Sequence, residues 1–138
     1  MPLTIEITTP ERTVFQETAD SISIPTADGE ITVLPHHLPL VSLLVPGALT
    51  LRKGGTESTI AVSTGFVEVR PGNHVLILAD TAERAEELDL EKVEEARARA
   101  AKNLTEHGHQ EDTAFAEAAA SLERELARLK VVRRHRKL

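Results

Sequence analysis

The sequence predicts a β + α protein, in which an N-terminal flattened antiparallel β-sandwich is followed by a C-terminal two-helix antiparallel hairpin. Apolar residues recur with a period near two up to about residue 79 and with a helical period from residue 89. All 7 prolines and 6 of the 7 glycines lie before residue 73, where they would separate short strands. We therefore divide the chain into a sandwich, residues 1–86, and a hairpin, residues 87–138.

Strand signals are clear at the N-terminus, where Leu3, Ile5 and Ile7 alternate with polar residues. Such alternation predicts a strand with one buried face. Gly54-Gly55 and Pro71-Gly72-Asn73 supply turns between later strands. Many short strands with no helical period among them are typical of a sandwich or a flattened barrel.

Two apolar runs, 40–45 and 75–79, do not alternate cleanly. Continuous apolar runs are typical of strands that are covered on both faces of their sheet. We therefore expect both strands to be buried on both sides.

Helical periodicity begins at Asp89, whose carboxylate can accept the unpaired N–H groups at a helix N-terminus. The segment 103–112 interrupts the first apolar stripe, and a second stripe comprises Phe115, Ala119, Leu122, Leu126 and Leu129. The alanine-rich faces bury little apolar area, so we expect the hairpin to be only marginally stable against opening. Such a hairpin either stays folded or shifts its population when a partner binds.

Composition limits the classes of function. The 138 residues include no cysteine, which excludes disulfides, zinc–thiolate sites and a cysteine nucleophile. The net charge of −6, with 3 Phe and no Tyr or Trp, argues against nucleic acid as a partner. We find no apolar run long enough to span a bilayer and no signal peptide, so we expect no direct membrane insertion. The last 21 residues carry 7 Lys/Arg and 2 Asp/Glu, which suits either an acidic partner or a solvated helix end.

The stretch 28–40 combines an acidic turn, two prolines and the adjacent pair His36-His37. The prolines stiffen the backbone, so the stretch is either a metal site or a rigid docking loop. Adjacent residues of a strand point to opposite faces of the sheet. This geometry argues against a cupin-like site in which both histidines and Glu30 chelate one ion.

Other candidate chemistry is weak. His107 and His109 lie in the linker between the predicted helices, where flexible exposure is the expected state. The sequence contains neither a nucleophile elbow nor a glycine-rich phosphate-binding loop. We therefore predict no catalytic residues and no metal site.

Several short motifs occur in a fixed order along nearly the whole chain. They are Pro10-Glu11, Asp28-Gly29-Glu30, Leu34-Pro35-His36-His37-Leu38-Pro39-Leu40, Pro46-Gly47, Ser63-Thr64-Gly65-Phe66-Val67-Glu68-Val69 and Leu78-Ala79-Asp80. Each motif is short, but their order and spacing together closely resemble the epsilon subunit family of the bacterial and chloroplast F-type ATP synthase.

This resemblance implies a non-catalytic subunit of the central stalk of a proton-translocating rotary enzyme, peripheral on the cytoplasmic face of the plasma membrane. The sandwich would bind the gamma subunit through an apolar edge or face, together with the hairpin, and it would also touch the ring of c subunits. It would thereby couple ring rotation to the catalytic alpha/beta head. The residues implied in c-ring and gamma contact are Asp28, Glu30 and His37. The alternative for His37 is a residue that hydrogen-bonds within its own loop.

The resemblance also implies a regulatory hairpin. It would lie folded against the sandwich or extend along gamma into the head, where it inhibits ATP hydrolysis. The cations suited to an acidic surface in the head are Arg124, Arg128, Lys130, Arg133, Arg134 and Arg136.

Some members of the family bind ATP at the start of the first helix, through a motif of the form [IL]-D-x-x-R-A. Leu88 and Asp89 match this motif, whereas Lys92 replaces its arginine and Val93 replaces its alanine. A lysine lacks the planar fork of a guanidinium. We therefore expect weak or absent ATP binding and no other cofactor, and Asp89 would then serve only as a helix cap.

Two other functions fit parts of the pattern. A stand-alone β-sandwich binding module would dimerise through Phe115, Leu122 and Leu126 of its hairpin, whereas a rotor subunit would be a monomer that joins gamma. A small metal-dependent cupin-like enzyme would carry a bound metal ion.

Overall fold

A computed structural model describes residues 2–106 and 113–136, and within these ranges the chain forms ten strands and two helices. The strands are β1 (Leu3–Thr8), β2 (Thr13–Ala19), β3 (Ser21–Thr26), β4 (Gly29–Val33), β5 (Leu40–Leu44), β6 (Gly47–Lys53), β7 (Thr56–Val62), β8 (Gly65–Arg70), β9 (His74–Ala79) and β10 (Ala82–Arg84). A 3-10 turn, Ala85–Glu87, leads to α1 (Leu90–Glu106) and α2 (Thr113–Arg136). The predicted β-sandwich followed by a helical hairpin is confirmed.

The strands form one hydrogen-bonded path in the order β10-β7-β6-β3-β5-β8-β9-β1-β2, and β4 pairs with β3 outside this path. The described strand pairs are antiparallel, as predicted, except for β1 and β9, which pair in parallel. The path folds over a single apolar core to which β1 through β9 all contribute. Ile5, Ile22, Leu49 and Ile77 are among its fully buried side chains.

The expectation that the runs 40–45 and 75–79 are covered on both faces is wrong for the chain by itself. Val41 and Leu43 of β5 and Leu78 of β9 are exposed. In β9 the exposed residue lies between buried residues, whereas in β5 the exposed residues alternate with the half-buried Leu40 and Ser42 and the buried Leu44. Their inward neighbours fill the core, so the period of two places these apolar residues on the outer face of the sheet.

The helices differ from the prediction in two respects: α1 ends later than expected, and α2 buries different residues. Asp89 caps α1 as expected, because the Lys92 backbone N–H donates to Asp89 Oδ1 at 3.2 Å. α1 continues through Asn103 to Glu106, since asparagine lowers helix propensity only modestly and does not break a helix. The buried stripe of α2 also differs: Leu126 is 47% exposed, whereas Ala127, Leu129, Val131 and Val132 are buried.

α2 connects the hairpin to the sandwich, because it packs against β6 and β7 while α1 packs against α2. Val131 is fully buried there, in a cluster with Ala48, Ala61 and Ala85. Three small methyl side chains let the helix approach the sheet closely enough to bury one valine completely. Neither described helix is long and apolar enough to cross a membrane.

Candidate functional surfaces

The outer face of β5, β8 and β9 carries an apolar patch made of Val41, Leu43, Phe66 and Leu78. Leu43 pairs with Phe66, and Phe66 pairs with Leu78, so these three side chains form one row across three strands. Val41 lies two residues before Leu43 on the same face of β5. Phe66 is 55% exposed and Val41 is 70% exposed. A contiguous group of large exposed side chains marks an interaction surface, whereas single exposed residues do not.

A charged pair borders this patch. Arg70 Nε donates to Glu68 Oε1 at 3.0 Å, and Glu68 is paired with Val41 across the strands. The hydrogen bond to Glu68, together with the attraction between the opposite charges, raises the pKa of the Arg70 guanidinium. The patch therefore has a fixed polar rim on one side, an arrangement found around the apolar centre of protein interfaces.

The acidic turn, which contains Asp28 and Glu30, is exposed, and hydrogen bonds with the Thr26 side chain hold its backbone. Thr26 is buried, and its hydroxyl donates to the Gly29 carbonyl at 2.6 Å and accepts from the Asp28 N–H at 3.2 Å. Gly29 has a φ of 107°, a conformation that side-chain-bearing residues rarely adopt. The turn is thus held in one shape and presents both carboxylates to the solvent.

The 34–39 loop, which holds His37, lies at the other end of β4. The five residues of β4 separate it from the acidic turn by about 17 Å of extended chain. His37 is half-buried; its backbone N–H donates to the Leu34 carbonyl at 3.1 Å, and its Nδ1–H donates to the Leu38 carbonyl at 2.7 Å. The structure therefore does not bring Asp28, Glu30 and His37 into one cluster, and it engages His37 within its own loop.

No group of three His, Asp or Glu side chains in the described parts of the chain is arranged to hold a metal ion. His36 and His37 lie in a turn after β4 rather than on a strand, so the strand argument against chelation does not apply to them directly. His107 and His109 lie outside the described residues.

Two of the three predicted nucleotide-binding residues, Leu88 and Asp89, line an open depression of about 490 Å³ at the start of α1. Its lining includes three acidic residues, Glu86, Asp89 and Glu91, together with Leu88 and other apolar residues, and it includes no basic residue. Lys92 is exposed and does not line it. One Asp89 carboxylate oxygen accepts the N–H of residue 92. The depression therefore offers negative charge where a triphosphate needs positive charge.

The basic tail contains an arginine bridge, which consists of Arg128 between Glu83 and Glu125. Arg128 Nε donates to Glu83 Oε1 on β10 at 2.5 Å, and Arg128 also pairs with Glu125 one turn earlier on α2. Glu125 is buried, and the side chains of Arg128 and Glu83 are 21% and 26% exposed. The bridge joins the hairpin to the sandwich through charges that are largely withdrawn from water.

The other tail cations divide into two groups. Arg134 donates to the Thr50 hydroxyl of β6 at 3.1 Å, and Arg124 lies 3.8 Å from Glu125. Lys130 and Arg133 are exposed, and Arg133 lies 3.8 Å from Glu94 of α1. The side chain of Arg136 lies outside what the structure describes. In the folded hairpin, four of the six predicted inhibitory cations therefore contact other side chains of the chain itself.

Sequence reasoning did not identify the apolar patch or the partners of Arg128. Val41, Leu43 and Leu78 were assigned to the interior because they lie in apolar runs that do not alternate, and only the structure shows that nothing in the described chain covers them. Glu83 is 45 residues from Arg128 in the sequence, so the sequence carried no local signal for that contact. Glu125 and Arg128 are three apart on one helix, a spacing at which opposite charges meet, and this signal was available in the sequence but was not used.

The fold and its surfaces define a two-part subunit that presents a sandwich face, two loops and a helical hairpin. Two family models match in succession: the β-sandwich domain of the ATP synthase delta/epsilon chain over residues 2–85, and the long α-helix domain of the same chain over residues 86–133. The chain therefore belongs to the ATP synthase delta/epsilon family, as an epsilon chain with no catalytic role of its own. This membership excludes the cupin-like enzyme.

Similar proteins support this membership over the full length. The ATP synthase epsilon chain of Chloroflexus aggregans is 45% identical over 136 residues, which cover 99% of this chain and 96% of that protein. The corresponding chain of Herpetosiphon aurantiacus is 44% identical and covers 99% of this chain and 98% of its own length.

Solved structures give the same result. A chain in the Euglena gracilis mitochondrial ATP synthase (OSCP/F1/c-ring) matches with a TM-score of 0.75 at 27% identity, over 88% of this chain and 76% of that one. A chain in the central stalk/c-ring of the Tetrahymena thermophila enzyme matches in fold, with a TM-score of 0.56 at 14% identity, over 98% of this chain and 96% of that one.

The arginine bridge predicts that two arginines of α2 differ in their effect on hairpin docking. Arg128→Met removes the arginine partner of Glu83 and the nearer of the two arginine partners of the buried Glu125, and we expect docking to weaken by about 2 kcal/mol. Amide hydrogen exchange in α2 should then be faster by about thirtyfold. Arg133→Met, the matched control, removes an exposed pair and should change exchange by less than about threefold. Equal exchange rates in the two variants would contradict the bridge.

Proposed function

We propose that this chain couples rotation of a c ring to the catalytic head by binding the gamma subunit through the apolar patch. The patch supports this assignment because it is contiguous and bordered on one side by the Glu68–Arg70 pair, and because nothing in the described chain covers it. A rotor subunit must transmit torque, which requires a fixed interface rather than a mobile one. The row Leu43–Phe66–Leu78 lies on paired strands of one sheet, so its backbone is rigid.

The acidic turn is our proposed contact with the c ring. Asp28 and Glu30 are exposed on a turn that the buried Thr26 holds in place, which suits recognition of polar or basic groups at a ring surface. His37 belongs to the second contact region, at the opposite end of β4. Its imidazole braces its own loop, so we assign it a role in holding that loop against gamma or the ring rather than a role as a charged ligand.

The hairpin is our proposed regulatory element, which inhibits ATP hydrolysis when it extends into the alpha/beta head. Two observations support it: α2 meets the sandwich over a small apolar cluster around Val131, and its arginine bridge is worth only a few kcal/mol by the behaviour of such pairs. Opening would free Arg128 and Arg134 from the sandwich and present them, with Lys130 and Arg133, to acidic partners. In the folded form Arg128 and Arg134 would thus be engaged by the sandwich, and in the extended form they would be available to the head.

We place the chain at the cytoplasmic face of the membrane, peripheral and held there by its partners. The solved relative from Euglena gracilis is part of a complex that contains a c ring, and neither described helix of this chain can cross a membrane.

Phe66 should be an anchor of the gamma interface. Phe66→Glu places a carboxylate at the centre of the apolar patch, and we expect it to lower the affinity for the gamma subunit of the same organism by about thirtyfold or more. Phe66→Leu keeps an apolar side chain and should restore most of the affinity. Ser58→Glu, at an exposed position of β7, is the charge-matched control and should bind normally. Surface plasmon resonance with immobilised gamma measures all three, and unchanged binding by Phe66→Glu would refute the assignment.

The hairpin should not sense ATP. The acidic lining of the depression at Leu88 and Asp89, together with Lys92 in place of an arginine, predicts no saturable binding at micromolar ATP, with or without Mg²⁺. Isothermal titration of the whole chain tests this, with a known ATP-binding epsilon chain as the positive control. A micromolar dissociation constant would show the expectation to be wrong.

A further inference from the structure

The 34–39 loop is held in a backbone conformation that its sequence does not favour. His36 has a φ of 68°, in the left-handed region that residues other than glycine rarely occupy. Pro35 and Pro39 fix their own φ angles and restrict the preceding residues, Leu34 and Leu38. A left-handed residue persists only where its surroundings fix it, and such residues concentrate where a loop meets a ligand or partner.

Asn73, in the turn between β8 and β9, supplies the contact that fixes the loop. Its side-chain Oδ1 accepts the His36 backbone N–H at 2.8 Å, across 37 residues of sequence. Its backbone carbonyl accepts the Thr4 N–H of β1 at 2.8 Å. Asn73 is itself left-handed, with a φ of 61°, and asparagine is one of the few residues that tolerates this conformation. One residue therefore joins the loop, the β8–β9 turn and β1.

The loop that Asn73 fixes presents apolar side chains. Leu34 is 56% exposed and Leu38 is 79% exposed, the largest exposed fraction among the large apolar residues of the described chain. Leu38 is two residues before β5, whose Val41 and Leu43 belong to the apolar patch. The position of the loop thus decides where the end of the patch lies.

We propose that Asn73 is a positioning residue for the rotor interface, which holds the 34–39 loop so that Leu38 extends the apolar patch. This proposal rests on the proposed function, in which the patch meets gamma. A loop held in its bound shape before binding avoids the ordering cost that a free loop would add to association. The Asn73 carboxamide does not contact the partner itself. It acts by fixing the loop, and the loop contacts the partner.

A purely structural role for Asn73, as a turn residue, makes a different prediction. Asn73→Gly keeps the left-handed turn and removes the acceptor, so a turn role alone predicts normal binding. Asn73→Asp keeps both the turn and an acceptor for the His36 N–H. The positioning role predicts that the glycine variant loses affinity and that the aspartate variant keeps it.

The experiment compares the full chain with these two variants. Binding to the gamma subunit of the same organism is measured by surface plasmon resonance, and exchange of the His36 amide is measured by NMR. We expect Asn73→Gly to bind about tenfold more weakly and to lose protection of the His36 amide, while Asn73→Asp stays within about threefold of the original chain. Chemical denaturation of each variant checks that the sandwich remains folded.

Three outcomes overturn the proposal. One is normal gamma binding by Asn73→Gly, and another is equal loss of binding by the glycine and aspartate variants. The third needs no variant at all: a His36 amide in the original chain that exchanges as fast as an exposed amide. The Phe66→Glu variant separates this proposal from the proposed function. If it loses binding while Asn73→Gly binds normally, only the positioning role fails; if both bind normally, the assignment of the patch to gamma fails.

Discussion

The two-residue alternation of β5, β8 and β9 is the constraint on which the surfaces of this protein depend. Val67, Val69, Val75 and Ile77 fill the core and are almost fully buried. Because successive strand residues point to opposite faces, their neighbours must face outward whatever their chemistry. Phe66 and the other patch residues are therefore exposed as a consequence of core formation. The favourable burial of the core residues therefore offsets the exposure of the patch. No local flexibility is needed to present the patch to a partner.

A second consequence concerns the balance between the two parts of the chain. The sandwich has a large apolar core, whereas its contact with the hairpin consists mainly of Val131 packed on three alanines, the arginine bridge and the hydrogen bond from Arg134 to Thr50. The sandwich can thus remain folded while α2 detaches, because the core does not depend on the helices. Elements with few buried contacts open at low free energy, and this difference in stability is what a regulatory segment requires. The proposed functions of the two parts follow from the way apolar area is divided between them.

Sequence patterns predicted the class of fold, the helix cap at Asp89 and the family, because each of these depends on short motifs of neighbouring residues. They did not predict the outward direction of Leu43 and Leu78, since an apolar strand looks the same whether a second layer of the chain or a partner covers it. Contacts such as Arg128 with Glu83 and His36 with Asn73 join residues far apart in sequence. Only the folded sheet brings them together. The patch and the loop brace therefore became visible only in the structure.

A reconstituted ATP synthase shows whether the sandwich couples and the hairpin regulates. Complexes are assembled with the full chain, with a chain that ends at residue 86, or without the subunit, and proton pumping is measured alongside ATP hydrolysis. We expect residues 1–86 to support coupled pumping and hydrolysis to be faster without the hairpin. Coupled pumping without the subunit, or an unchanged hydrolysis rate after truncation, would contradict this expectation.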